Sequence, residues 1–257
     1  MAYDGATTRG LNFLGLEFSD ADLETTTDAI AVRASLDLPF AYVATPNVDH
    51  VVGLANDPSR RPLYDAAWLR LNDSRVLRGL AKRAGMNLPT VTGADVAEHL
   101  LDTVIDRNEP ITIIGGSAES IAALKHRYRL TDVRWHEPPM NLVEKPGAIV
   151  DAAQFAAAQN ARFTFICVGA PQQEMVAYTI QQLGRATGVG LCVGAALDFL
   201  SGRAERAPVW MRRAGLEWLH RLASEPKRMW KRYLVDGPKV FSLFAAWRAA
   251  SASASAA

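Results

Sequence analysis

The sequence predicts an α/β protein with a parallel β-sheet, helices on both faces of the sheet, and a helical amphipathic appendage at the C-terminus. Short apolar runs alternate with helical patterns along most of the chain, and three runs break into glycine turns that open helices: "IIGGS", "VGAPQQE" and "VGAALD". Strands that are each followed by a helix form parallel βαβ units. The length of 257 residues suits one such domain with an appendage. The predicted fold class is therefore Rossmann-like.

Four regions are predicted along the chain. They are a disordered N-terminus (1–10), a Rossmann-like core (11–202), a basic amphipathic appendage (203–240) and a low-complexity tail (241–257). The two ends are rich in small and polar residues, and the closing "SASASAA" offers nothing to bury. Both ends are therefore predicted to lack fixed structure.

The first half of the core alternates strands and helices. "LNFLGLEFS" is predicted to be one strand, and "SDADLETTTDAIAVRASL" a helix capped by Ser19. "FAYVAT" (40–45) is the next strand, followed by helices over 48–56 and 59–67. "WLRLND" is a short strand that ends at Asn72 and Asp73, and helices follow over 74–85 and 93–107.

The second half repeats the unit of strand, turn and helix. Its strands lie in "PITIIGG", "TDVRWHEPP", "ARFTFICVGAPQQE" and "GVGLCVGAALDFLSG". In parallel sheets of this kind, ligands bind beyond the carboxyl ends of the strands. The turns that follow the strands are therefore predicted to meet at one edge and to form the functional site.

Composition and charge exclude several classes of protein. Residues 203–239 carry ten Lys and Arg against four Asp and Glu, a net charge of +6, whereas the rest of the chain is at −5. Such asymmetry is typical of a segment that meets phosphates, lipid headgroups or nucleic acid. Two cysteines, Cys167 and Cys192, make a disulfide framework unlikely and indicate buried reduced thiols in the cytoplasm. Neither a signal peptide nor an apolar run long enough to span a membrane is evident.

No metal or other cofactor is expected. The five histidines are scattered without ligand spacing. One Asp-x-Asp sequence, Asp20-Ala21-Asp22, stands where helix capping explains it better than metal binding. Hydrolase elbows and P-loops are also absent from the sequence.

Two polar turns carry most of the predicted chemistry. "VATPNVDH" places Thr45 and Asn47 beyond a buried strand, and the alternative is that one of them only caps the next helix. Asp73, in "LNDSRV", is suited to act as a general base, and it is equally suited to cap the helix that starts near Ser74. "VTGAD" adds Thr92 as a binding residue.

The glycine turns are weaker signals. Gly115 and Gly116 precede a helix, an arrangement that tolerates phosphate, but the full G-x-G-x-x-G spacing of dinucleotide sites is missing. After Gly169, the glutamine Gln173 falls in the first turn of a helix, where it can bond a nucleotide. The alternatives are a tight turn in the first case and a solvated helix start in the second.

The appendage is predicted to form two amphipathic helices. From Pro208 to Ala223 one face carries Met211, Gly215, Trp218, Leu219 and Leu222. After Pro226 the cations and the apolar residues lie on two different faces of the predicted helix. The cations are Lys227, Arg228, Lys231 and Arg232. The apolar residues are Met229, Trp230, Tyr233 and Leu234. Basic, aromatic helices of this kind are typical of membrane surfaces. Packing of Trp218 and Trp230 into the core is the alternative, and nucleic-acid binding is disfavoured because no such motif occurs.

Taken together, these pieces resemble the WecG/TagA/CpsF glycosyltransferases. The similar segments are "TPNVDHV" (45–51), the Asp73 turn, "VTGAD" (91–95), "IIGGS" (113–117), "GAPQQE" (169–174), "GVGLCVGAALDFLSG" (188–202) and "RAPVWMRRAGLEWLHRLASEPKRMWKRYL" (206–234). The resemblance covers residues 10 to 240 in order, and its last block is highly specific.

The resemblance implies an inverting, metal-independent transferase. Such an enzyme moves a sugar from a UDP-sugar to a polyprenyl-diphosphate-linked saccharide at the inner face of the cytoplasmic membrane, and its cores associate as homo-oligomers. The family's catalytic base falls on Asp73, and its pocket residues fall on Thr45, Asn47 and Gln173. This chain departs from the family's Asp-Gly pair, because Ser74 and Arg75 follow Asp73, and Arg75 adds a donor for a carboxylate sugar or a phosphate.

Several arginines of the appendage are candidates for the diphosphate or the lipid headgroups, with Trp218 and Trp230 at the membrane: Arg206, Arg212, Arg221, Arg228 and Arg232. Two other functions remain open. A Rossmann-type oxidoreductase requires the dinucleotide fingerprint that is missing here. A non-enzymatic module that binds a membrane through the appendage requires no catalytic Asp73.

Overall fold

A computed structural model describes residues 10–255, apart from the side chains of residues 213, 228, 254 and 255. The strands are β1 (Gly10–Phe13), β2 (Leu16–Ser19), β3 (Ala41–Ala44), β4 (Leu69–Arg70), β5 (Ile111–Ile114), β6 (Val133–His136), β7 (Phe163–Ile166) and β8 (Val189–Cys192). The helices of the core are α1 (Leu23–Ala34), α2 (Val48–Asn56), α3 (Arg61–Asp65), α4 (Arg75–Arg83), α5 (Gly93–Thr103), α6 (Ala118–Tyr128), α7 (Pro146–Gln159), α8 (Gln172–Leu183) and α9 (Ala196–Leu200). The C-terminal region forms α10 (Val209–Ala214), α11 (Glu217–Ser224), α12 (Pro226–Trp230), a π-helical segment (Lys231–Asp236) and α13 (Lys239–Ser255).

Six of the strands form one parallel sheet in the order β4-β3-β8-β7-β5-β6. The four central strands are buried along their whole length, as strands covered on both faces must be. One face is covered mainly by α2, α3, α4, α7, α8 and α13, and the other by α1, α5, α6 and α9. The predicted α/β fold with helices on both faces is confirmed.

The first predicted strand is wrong in one respect, because "LNFLGLEFS" folds into an antiparallel hairpin of two strands. Leu14 and Gly15 form its turn, with φ of +50° and +79°. Two consecutive positive φ angles are typical of the two-residue turns that suit the strand twist. Ser19 ends β2 instead of capping α1, and Asp22 is the cap because its carboxylate accepts the Thr25 N–H at 2.9 Å.

The appendage breaks where the sequence predicted one continuous helical face. Gly215 has φ of +75° and ends α10, so α11 starts in a new direction. The second predicted amphipathic face is also altered, because the π-helical segment after Trp230 changes the rotation per residue. Arg232 consequently faces the core, and Trp230 is exposed.

The closing "SASASAA" (251–257) was predicted to be disordered, and this is wrong for its described residues. They continue α13 as far as Ser255. Phe244 and Trp247 of α13 pack edge-on against Phe13 of the hairpin, with ring centroids 6.1 and 5.2 Å apart. Three aromatic side chains thus dock the helix on the core, although its closing residues are small. At the other end, Gly10 begins β1, and the rest of the predicted N-terminal region lies outside the described residues.

Within residues 10–255, no helix is both long enough and apolar enough to cross a lipid bilayer.

Candidate active site

The carboxyl ends of β3, β4 and β8 meet in a connected set of turns. The Thr45 hydroxyl donates to the Cys192 carbonyl oxygen at 2.8 Å and so joins the ends of β3 and β8. The Asp73 N–H donates to the Pro46 carbonyl oxygen at 3.0 Å and joins the ends of β3 and β4. Gly93 packs against Thr45, since a Cβ there would lie 3.3 Å from the Thr45 hydroxyl oxygen. The predicted residues Thr45, Asp73 and Thr92 are therefore brought to one edge.

Asn47 has the capping role that the sequence left open as an alternative. It is the N-cap of α2, and its side-chain oxygen accepts the Asp49 N–H at 3.0 Å. That same oxygen also accepts a hydrogen bond from Arg232 at 3.3 Å. Asn47 therefore stands at the junction of the core and the appendage.

Asp73 is not the cap of the following helix. Ser74 is the N-cap of α4, and its hydroxyl oxygen accepts the Leu77 N–H at 3.2 Å. Asn72 fixes the turn from the other side, because its side-chain oxygen accepts the Ser74 N–H and its amide donates to the Pro89 carbonyl oxygen. Within the described part of the chain the Asp73 carboxylate makes no hydrogen bond. The neighbours build the turn, and the carboxylate is left available.

The surroundings of Asp73 raise its pKa from 3.8 to about 7. Burial is the main cause, because it penalises the charged carboxylate. The charges of Glu217 and Asp95 raise the pKa further, whereas Arg221 and His50 lower it. A carboxylate with a pKa near neutrality is suited to take a proton from a substrate hydroxyl. Perturbed carboxylates of this kind cluster at functional sites.

The appendage helix α11 lies near the edge where Thr45, Asp73 and Thr92 meet, because two of its charges act on Asp73. Glu217 and Arg221 stand one helical turn apart on α11, and both charges act on Asp73. The Arg221 guanidinium lies over the ring of Phe199, 4.9 Å from its centroid, and this contact holds the cation beside the site. The predicted candidate Arg221 is therefore placed next to the predicted base.

Arg232 is the second predicted arginine that faces the site. Besides its bond to Asn47, its Nε atom lies 3.4 Å from the Asp49 carboxylate. Asn47 and Asp49, at the start of α2, thus hold the guanidinium group of Arg232.

Arg206 instead has a partner within the core. Its guanidinium lies 2.9 Å from the Asp95 carboxylate and 3.5 Å from that of Glu98. Thr92 caps α5 and donates to Asp95 at 2.6 Å, so all four groups form one cluster. Arg206 therefore orders the Thr92 turn, and its charge is already balanced.

The remaining predicted cations and aromatic residues of the appendage are spread more widely. Arg212 donates to the Ala207 carbonyl oxygen at 3.1 Å, within its own segment. The side chain of Arg228 lies outside the described residues. Trp218 packs edge-on against Tyr233 at 6.0 Å, whereas Trp230 is 51% exposed. The alternative left open by the sequence was packing into the core; the ring contact of Trp218 lies within the C-terminal segment, and the exposed Trp230 does not pack in the core.

Gln173 is buried beneath the edge. Its amide donates to the Glu174 carboxylate at 2.8 Å, and its oxygen accepts the Gly194 N–H at 2.8 Å. Glu174 has an exposed fraction of 0% and faces the ring of His50 at 3.4 Å. The interpretation of this helix start as a solvated turn is wrong, because these side chains point inward.

The glycine turns after β5 and β7 lie farther along the same edge. At Gly115 a Cβ would lie 2.8 Å from the Cys167 carbonyl oxygen, and at Gly116 2.2 Å from a methyl group of Leu197. Close packing thus explains both glycines without a ligand. Gly169 has φ of +75° and open space at the Cβ position. A substrate role for the three glycines stays a prediction.

Arg75, the first residue of α4, is exposed. Its side chain lies against Gly215, where a Cβ would stand 3.5 Å from that of Arg75. The residue that departs from the family's pattern therefore meets the bend between α10 and α11. Its predicted role in substrate binding remains untested.

Sequence reasoning missed three groups of the site. They are Glu217 of α11, His50 of α2 and Glu174 of α8. Each acts through tertiary contacts, so no local pattern could have identified it. Among the described residues, no group of three or more His, Cys, Asp and Glu side chains is arranged to hold a metal ion.

The parallel sheet, the Asp73 carboxylate of raised pKa at its carboxyl edge and the arginines of the C-terminal segment near it define a candidate site in a Rossmann-like α/β protein. The family model described as "Glycosyl transferase WecG/TagA/CpsF family" matches residues 11–254. The chain belongs to this family, and the resemblance seen in its motifs is confirmed. It is a glycosyltransferase of cell-surface polysaccharide synthesis, so the oxidoreductase and the non-enzymatic module are set aside.

Proposed function

We propose that this enzyme transfers a sugar from a UDP-sugar to a polyprenyl-diphosphate-linked saccharide, with inversion and without a metal ion, at the inner surface of the cytoplasmic membrane. The observation that carries the proposal is the Asp73 carboxylate, which is unbonded among the described residues, has a pKa of about 7, and lies at the carboxyl edge of the sheet. Family membership supports a sugar-nucleotide donor and a lipid-linked acceptor in general.

In the proposed reaction Asp73 takes the proton from the acceptor hydroxyl as its oxygen attacks the anomeric carbon of the donor. The bond between that carbon and the UDP oxygen breaks on the opposite face, and its electron pair leaves with the diphosphate. One base is sufficient for such a displacement.

The departing diphosphate needs positive charge, and the appendage supplies it in this proposal. Arg221 stands beside Asp73, and Arg232 stands at the start of α2. Guanidinium groups bind phosphates in a bidentate manner. Cations aimed at a developing charge stabilise a transition state without reorganisation. Arg206 is assigned no contact with the diphosphate, because two carboxylates, Asp95 at 2.9 Å and Glu98 at 3.5 Å, pair with it, whereas Arg232 has one, Asp49 at 3.4 Å.

Membrane association is supported by the exposed apolar residues of the appendage. Trp210 is 64% exposed, Trp230 51% and Leu234 57%. Lys227 and Lys231 are also exposed and lie in the same segment. Aromatic residues with nearby cations are suited to an anionic lipid surface, where each cation contributes about 1 kcal/mol.

The transfer proposal is tested by a product assay. A panel of UDP-sugars is incubated with a synthetic polyprenyl-diphosphate-linked saccharide, and the product is identified by mass spectrometry and by the configuration of the new bond. Inverted product in the presence of a chelator supports the proposal. Retained configuration, or activity that requires a divalent cation, contradicts it.

Membrane association is tested by flotation with vesicles that contain anionic lipid. The variant Lys227→Gln/Lys231→Gln leaves the arginines of the site intact, and Lys125→Gln on α6 serves as the matched control. We expect reduced flotation only for the double variant, most clearly at low salt. Equal flotation of all three proteins contradicts the membrane proposal.

A further inference from the structure

A buried histidine and glutamate lie beneath the catalytic edge, and the reaction proposed above does not use them. His50 of α2 and Glu174 of α8 have side-chain exposures of 5% and 0%, and the ring Nε2 lies 3.4 Å from a carboxylate oxygen. The other carboxylate oxygen is buried and has no hydrogen-bond partner among the described residues. Burying a carboxylate that is only partly bonded costs folding free energy. Such costs are typical of functional sites.

His50 is bound to the N-cap of its own helix. Its Nδ1 atom lies 2.9 Å from the Asn47 side-chain oxygen and 3.2 Å from the Asn47 backbone nitrogen. If Nδ1 carries the proton, it donates to the side-chain oxygen, and if it does not, it accepts the backbone N–H. The ring is therefore bonded to Asn47 in either tautomer.

Glu174 is bound to a second residue of the predicted pocket. One of its oxygens, Oε1, faces His50 and also accepts the Gln173 amide at 2.8 Å. Gln173 in turn accepts the Gly194 N–H after β8. Gln173 thus bonds Glu174 to the turn after β8, and Oε1 of Glu174 lies beside the His50 Nε2 atom, which is buried and has no hydrogen-bond partner among the described residues.

We propose that His50 and Glu174 are positioning residues, which hold Asn47 and Gln173 in the arrangement that the sugar-nucleotide site requires. Glu174 orients the imidazole ring and the Gln173 amide, and the ring orients Asn47. The polar ends of three strands are then fixed before substrate arrives. With the groups already in place, the enzyme does not have to order them when the substrate binds. The inference rests on the proposed function, because it assigns Asn47 to the substrate site.

The first test needs no substrate. Hydrogen exchange of the backbone amides at residues 47–50 is compared between the wild type and His50→Ala, with His126→Ala on the exposed face of α6 as the control. We expect exchange at the start of α2 to quicken about tenfold or more in His50→Ala only, because the Asn47 N–H and side chain lose the Nδ1 atom that bonds them. Unchanged exchange overturns the positioning role, whatever the enzyme's reaction is.

The second test is a kinetic double-mutant cycle. His50→Ala is expected to raise the KM for the donor about 10-fold to 100-fold with a smaller effect on kcat, because it disturbs substrate binding. If it acts through Asn47, the double variant His50→Ala/Asn47→Ala is no worse than Asn47→Ala alone. Multiplied losses overturn the inference, because they show that His50 acts independently.

Glu174→Gln keeps the volume and the contact with Gln173 but removes the charge that faces His50. It provides a second variant if His50→Ala folds poorly, and Glu24→Gln on the surface of α1 is its matched control. We expect Glu174→Gln to reproduce the faster exchange at Asn47. Normal exchange in a folded Glu174→Gln protein overturns the role of the carboxylate. Absence of transfer with every UDP-sugar would defeat the proposed function and leave the exchange result standing.

Discussion

Replacement of Asp73 by asparagine separates catalysis from stability, because the two are expected to move in opposite directions. Asparagine has nearly the same shape as aspartate, but it has no negative charge and cannot take a proton from a substrate hydroxyl. A general base contributes roughly 10²-fold to 10⁴-fold to the rate, and Asp73 is the proposed base. We therefore expect Asp73→Asn to lose about that much of kcat, with unchanged affinity for UDP.

The effect on stability follows from the raised pKa. The carboxyl group has a pKa of about 7 in the folded protein, against an ordinary value of 3.8. The folded state therefore holds the proton to higher pH than the unfolded state. Stability is lost as the pH rises from about 3.8 to about 7, by about 1.4 kcal/mol per pH unit, and the full penalty is present above pH 7.

A rise of the pKa from 3.8 to about 7 corresponds to a penalty of about 4 kcal/mol, and water screens part of this penalty because Asp73 is only partly buried. We expect Asp73→Asn to raise the free energy of unfolding by about 2–3 kcal/mol at pH 8, and by much less at pH 5. For a chain of this length that is a rise in Tm of roughly 5–10 °C. A variant that gains stability and loses turnover is the expected result when burial of a catalytic group destabilises the fold.

The measurements are denaturant unfolding at both pH values and kcat/KM across the neutral range. The wild-type kcat/KM is expected to rise with pH through an apparent pKa near 7, and the residual activity of Asp73→Asn is not. Asp151→Asn on the exposed face of α7 is the matched control. Near wild-type turnover in Asp73→Asn refutes the assignment of the base. Equal stability of the two proteins at pH 8 refutes the electrostatic reasoning.

The other predictions concern the appendage. Glu217→Gln removes a charge that raises the pKa of Asp73, so the acidic limb of kcat/KM should move to lower pH; an unmoved limb would show that α11 does not cover the base in solution. Arg221→Gln should move the same limb to higher pH and also lower kcat by roughly 10²-fold, because the cation beside the diphosphate is lost. Trp210→Ala/Trp230→Ala should reduce flotation with anionic vesicles and leave Tm nearly unchanged, because both rings are exposed; a large drop in Tm would show that they pack in the fold.

Local patterns in the sequence were sufficient to predict most of the sheet and to bring the Asp73 turn to its carboxyl edge. The buried strands are short apolar runs that end in turn residues, and parallel βαβ units bring those ends to one edge. Asp73 could be identified because it follows β4 directly and because its turn matches the family. Its competing role as an N-cap could not be decided, since Ser74 next to it suits the cap equally well.

The errors occurred where backbone geometry or tertiary contacts decide the outcome. Leu14 adopts a positive φ although leucine rarely does. Of the two turn residues, only Gly15 is therefore of a type that indicates a hairpin. The π-helical segment after Trp230 rotates Arg232 toward Asn47, and a helical wheel of regular pitch cannot show that. Glu174 has the sequence context of a solvated first turn, and only the packing of α8 on the sheet buries it.

The C-terminal region thus contributes to the core and to the proposed active site. Three of its residues lie at that candidate site, since the charges of Glu217 and Arg221 act on Asp73 and Arg232 donates to Asn47. The aromatic residues of α13 meanwhile pack on the first hairpin. A lipid surface that engages the exposed tryptophans would act on the same segment that sets the pKa of the base. Acceptor binding at the membrane and proton transfer at Asp73 would then be coupled through one short stretch of chain, without any separate regulatory element.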